Sequence, residues 1–117
     1  MAARWVKALY LTPYTLYNNF KTITMRILSI YIATSLDGYI AKPNDDLGFL
    51  KSVEKEGEDY GYASFTSTVD TIILGRKTYD WVLKEIGSSH YDNGERDVYV
   101  ITRTARLKVG KTNFYTG

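Results

Sequence analysis

In the stretch VDTIILGRKTYD, residues 69–80, one period gives way to another at a glycine. Val69 to Leu74 is apolar, rich in β-branched residues and too short for a helix, so it is read as a buried strand. From Tyr79 the spacing turns helical: Tyr79, Val82, Leu83 and Ile86 fall on one face, and Asp80, Lys84 and Glu85 on the other. Gly75 is therefore placed at a strand-to-helix turn, with Arg76, Lys77 and Thr78 in the first helical turn and the helix running to about Glu85. A chain with this switch at its centre is constrained to an α/β fold.

Cations are unexpected at that position. The first turn of a helix carries unpaired N–H groups and the positive end of the dipole, which favour acids. Two readings follow from the dipeptide: an anion such as phosphate settles there, or both side chains point into water.

The same periods organise the rest. MRILSIYIAT gives a strand from Ile27 to Thr34 expected to be covered on both faces. SLDGYIAKPNDD is a long turn-rich loop with a small apolar hook at Tyr39, Ile40 and Ala41. LGFLKSVEKEGED holds at most a short helical turn. From Asp59, Tyr62, Phe65 and Val69 repeat as on a short amphipathic helix. A loop through Gly87 to Asp97 leads to the strand DVYVIT, then a polar, basic stretch and a last short extended piece, TNFYTG. Strands alternating with helices predict an α/β domain with a largely parallel sheet, whose ligands bind at the carboxyl ends of the strands. Those ends are Thr34–Asp37, Gly75–Thr78 and Thr102–Arg106. Two of the three set hydroxyls beside cations, a pattern that suits a ligand with two separated phosphates.

Composition removes several classes. The chain has no cysteine, which excludes disulfides and thiolate chemistry and fits a cytoplasmic location. Its one histidine, His90, lies in the loop SSHYDNGERD and is expected to be solvated. No apolar run reaches the roughly 20 residues of a membrane helix. Residues 1–26 carry a net +4 and residues 27–117 a net −2, so no general basic surface for nucleic acid is expected. GRKT lacks the glycines of a phosphate-binding Walker loop, no G-x-G-x-x-G occurs, and turn chemistry accounts for Asp37, Asp45 and Asp46 better than a metal does. MAARWVKALYLTPYTLYNNFKTIT, residues 1–24, has no acid and no clean period. It is expected to be an extension outside the core, with the domain proper spanning 25–117; packing of its aromatics on the domain is the competing view.

Three blocks, LSIYIATSLDGYIA, VDTIILGRKTYDW and VYVITRTA, resemble the dihydrofolate reductase-like superfamily in order and spacing. The likeness is greatest to relatives of the reductase domain of the riboflavin-pathway bifunctional deaminase-reductase, and it covers residues 26–117. It implies a largely parallel sheet flanked by helices and an NADPH-dependent reductase acting on a pyrimidine or pterin-like heterocycle. It also implies site residues. Ala33, Ile40 and Ala41 would lie on the nicotinamide side, and Gly75, Arg76, Lys77 and Thr78 at the pyrophosphate. Thr102, Arg103 and Thr104 would hold the adenosine 2′-phosphate, and Asp37, Tyr62 and Phe65 the substrate. The carboxylate that holds the pterin in dihydrofolate reductase has no counterpart near Gly61, where Asp59 is the nearest acid, so another heterocycle is expected. Family members continue past the point matching Gly117 to a strand ending in paired glycines, so the fold is expected to be incomplete on its carboxyl-terminal side, and a homodimer is expected. The alternatives are a truncated, non-catalytic nucleotide-binding remnant and a flavodoxin-like phosphate-binding domain.

Overall fold

The computed structural model describes residues 8–18, 21–91 and 94–117. The switch at Gly75 is realised as read: strand β3 spans Thr71–Gly75 and helix α2 follows at once over Arg76–Glu85. Tyr79 and Val82, three residues apart, are the buried face of α2. Strand β4, Asp97–Ile101, lies parallel to β3, and β5, Thr112–Tyr115, lies parallel to β4. The short helix α1 spans Tyr62–Thr66; its start is capped by Asp59, which accepts from the backbone N–H groups of Gly61 and Ala63 at 3.0 and 2.9 Å. Leu47 to Ser52 supplies a 3₁₀ turn at Gly48–Ser52, the short helical turn expected there.

The other half of the sheet departs from expectation. Strand β1 is Ala8–Asn18 and β2 is Lys21–Ile30, and the five strands are ordered β2-β1-β3-β4-β5. The β1 strand is antiparallel to both neighbours, so the fold is an α/β mixed sheet and the largely parallel arrangement holds only from β3 to β5. Residues 8–18, expected outside the core, form an interior strand of the sheet; residues 1–7 lie outside the described residues. The reason is local. Ala8 and Tyr10 alternate onto the helix-covered face and are buried, Tyr10 completely, with its ring edge-on to Phe65 at 5.1 Å. The segment expected to be doubly covered, Ile27–Thr34, instead ends the edge strand, with Leu28 58 % and Ile30 64 % exposed.

One core results. Ile72, Leu74, Val98 and Val100 point to the same face as Tyr10 and pack under Tyr79, Val82 and Tyr91 of the helical layer. Tyr79 stacks along Tyr91 and meets Phe114 of β5 edge-on. The opposite face is bare among the described residues. Across it run Leu28 and Ile30 of β2, Tyr99 and Ile101 of β4 and Tyr115 of β5, all exposed. Both helices therefore cover one face rather than flanking the sheet. Residues 12–18 and 21–27 continue the β1–β2 pairing past the start of β3, so this hairpin extends beyond the amino ends of the parallel strands. No helix among the described residues is long and apolar enough to cross a membrane.

Candidate functional site

Parallel pairing of β3 with β4 sets Gly75 beside Ile101, so the segments that follow, Arg76–Thr78 and Thr102–Thr104, leave the sheet at neighbouring points. Gly75 has an ordinary extended backbone, φ −79° and ψ 156°, and a Cβ built on it would meet nothing within 4 Å. Neither its conformation nor its protein neighbours require glycine. The first turn of α2 holds no acid and no side-chain cap, which leaves its N–H groups without a side-chain partner. Lys77 is exposed, and Arg76 and Thr78 are half-buried. After β4, Thr102 is buried; its hydroxyl bonds both the N–H and the carbonyl of Thr104 at 3.2 Å, which closes a tight turn and leaves Arg103 exposed.

Two of the cations at this end are engaged by the chain itself. Arg76 Nη1 donates to Asp80 Oδ2 at 2.9 Å, one turn along α2, and Arg106 donates to both carboxylate oxygens of Asp80 at 2.7 and 3.1 Å. The carboxyl of Asp80 is held below its usual range, first by the Arg106 hydrogen bonds and then by Arg76. This clamp ties the loop after β4 to the start of α2, and Arg106 also sits over the Phe114 ring, 5.7 Å from its centroid. Arg106 closes the strand end expected to bind ligand, but neither its pairing with Asp80 nor Asp80 itself was expected. The i,i+4 spacing of Arg76 and Asp80 was a readable signal; Arg106 is 26 residues from Asp80 and had none.

The remaining expected residues are placed less closely. Both β2 and β3 run antiparallel to β1, so the chain leaving β2 emerges at the same end of the sheet as Gly75, two strands or roughly 10 Å away. Ala33, Ile40 and Ala41, in the segment that follows, are half-buried. Asp37 is exposed and accepts from the Ser35 hydroxyl, closing the loop turn. Phe65 belongs to the core, stacked on Tyr31 at 5.0 Å as well as against Tyr10, and that packing accounts for it. Tyr62 lines a cavity on the other side of α1, near the amino ends of β3 and β4.

That cavity also takes in His90, which is half-buried, not solvated as its loop sequence suggested. Burial first, and the nearby Arg96 cation second, hold the imidazole below its ordinary pKa of 6.5. The folded state therefore binds fewer protons than the unfolded state once the pH drops below 6.5. Its contribution is intact above that value and is lost as pH falls through the depressed one. Urea midpoints measured at successive pH values are expected to decline below 6.5, and His90→Gln to flatten that part of the decline.

No protein-family model matches the chain. Over 53 residues it is 55 % identical to "Uncharacterized protein YwjB" of Bacillus subtilis (strain 168), a match covering 45 % of this chain and 30 % of that protein. The chain thus spans under a third of the length of this curated relative.

Proposed function

We propose that this chain contributes the phosphate-binding half of an NADPH-dependent reductase, of the type that acts on a pyrimidine or pterin-like heterocycle. The observation that carries the reading is the open turn at Gly75, which admits a close-approaching group at an uncapped, acid-free helix start flanked by Arg76, Lys77 and Arg103. The residues present fit the phosphates of a dinucleotide. First-turn N–H groups with Arg76, Lys77 and Thr78 would receive the pyrophosphate, and Arg103 with the hydroxyls of Thr102 and Thr104 the 2′-phosphate. Ala33, Ile40 and Ala41, in the chain that follows β2, would form the nicotinamide side. When bound, NADPH supplies the hydride; the chain's own part is to orient it and exclude water. The expected homodimer belongs to the same proposal, and sedimentation tests it.

Fluorescence titration with both dinucleotides separates the roles. Arg76→Ala should weaken NADPH and NADH together by about tenfold, the loss of one charge-assisted contact, whereas Arg103→Ala should weaken NADPH alone. Equal affinity of the parent chain for both dinucleotides would favour the flavodoxin-like alternative, and no binding of either would remove the reading.

A further inference from the structure

We propose that the cavity between α1, the end of α2 and the loop before β4 is a second ligand site, one that takes a small planar carboxylate such as a single aromatic ring bearing one acid group. It lies toward the amino ends of β3 and β4, at the opposite end of the strands from Gly75, and it does not depend on the reductase reading. The volume is about 320 Å³, at the small end of ligand pockets and suited to one ring. Exposed Ser89 opens it to solvent, and Ile72, Ile86 and the Tyr62 ring give it apolar walls.

Its polar groups are mostly donors. Arg96 gives Nε to the Val69 carbonyl at 3.1 Å and Nη2 to the Thr66 carbonyl at 2.9 Å, and its Nη1 reaches Glu95 at 3.5 Å. A guanidinium has five N–H groups in a planar fork, so donors remain for a carboxylate, and those backbone bonds fix the fork in place. His90 is neutral near pH 7 and offers a further N–H. Behind this wall stand two buried phenols: Tyr10 faces the Tyr62 hydroxyl, and the Tyr91 hydroxyl has no hydrogen-bond partner. Tyr91 meets His90 edge-on at 4.8 Å, and both phenols interact with the Tyr62 hydroxyl. Burial keeps both protonated, and neither lines the cavity, so a guest's acceptors would meet Arg96 and His90. One fixed cation selects a single negative charge, and the apolar walls select a flat ring to carry it.

Benzoate and benzamide are the probes, titrated into the full chain and followed by amide NMR shifts. Benzoate is expected to bind with Kd on the order of 1 mM or tighter, to shift the amides of Ile72, Ile86, Ser89 and His90, and to bind about tenfold more tightly than neutral benzamide. Tyr91→Phe, which does not touch the cavity, should melt at the same temperature or higher and bind benzoate as the parent does. His90→Ala, which removes a lining N–H, should bind benzoate several-fold more weakly. The proposal is overturned by no shifts at millimolar benzoate, by shifts elsewhere only, or by equal affinity for benzamide.

Discussion

A chain beginning at Met25 is expected to lose the cooperative fold described here, although it retains all three sequence blocks that carry the family resemblance. The deletion removes β1, an interior strand of the sheet, and the first four residues of β2. Tyr10 is wholly buried, and truncating a buried aromatic to alanine costs about 3–5 kcal/mol. Ala8 and the main-chain bonds of β1 to β3 over Ala8–Leu11 go as well, and they leave β3 an unpaired edge. A loss of that size equals or exceeds the lower end of typical domain stability, about 5–15 kcal/mol. Urea and thermal melts of the two chains test this directly. A cooperative melt of the Met25 chain within about 1 kcal/mol of the parent would show that β1 is dispensable. The structure also says what would replace it. Since β2 runs in the same direction as β3, moving Ile27–Ile30 into the vacated place would pair them in parallel and cover residues now exposed on the edge. Hydrogen exchange at Ile27–Ile30 distinguishes that rescue, which protects these amides further, from simple unfolding.

The reason this strand was hard to read explains how the sequence can be clear in one half and opaque in the other. From Thr71 to Tyr115 each element is announced locally: a β-branched run, a glycine, then a helical repeat whose buried members are Tyr79 and Val82. Along β1 only Ala8 to Leu11 have neighbours on both sides, too few residues to impose a visible period. Pro13 then argues against a central strand, yet it lies beyond Leu11, where β1 pairs with β2 alone and a missing N–H is tolerated. Conversely, Ile27–Ile30 has the composition of a doubly buried strand and occupies an edge, because what covers a strand depends on partners distant in sequence. The candidate site divides the same way. Gly75 and the cations after it could be found from the change of period, whereas the Arg106–Asp80 clamp and the Tyr10–Tyr62–Tyr91 cluster are made by long-range packing.

Asp80→Asn is expected to raise the affinity for inorganic pyrophosphate by about tenfold and to steepen its dependence on salt, since each charge-assisted contact is worth about 1.5–3 kcal/mol. The single carboxylate now neutralises part of two guanidiniums, Arg76 and Arg106. Asparagine keeps the side chain's shape and one acceptor but returns a unit of positive charge to the start of α2. The fold should survive, because Arg76, Asp80 and Arg106 are 42 %, 36 % and 35 % exposed and such ion pairs contribute at most about 1 kcal/mol. Acid cannot make the same change gently. The Asp80 carboxyl is depressed below 3.8, so its contribution is present above that value and is lost only as pH falls through the lower one, far from neutrality. Isothermal titration of the parent and Asp80→Asn chains at two salt concentrations gives the result. A gain that shrinks at high salt identifies the carboxylate as a competitor for the phosphate site. A tenfold loss would instead make Asp80 a positioning residue that aims both guanidiniums, and pyrophosphate binding would then fail in Arg106→Ala as well. Affinity unchanged by either substitution would place the anion away from α2, and the Gly75 turn would lose the role assigned to it.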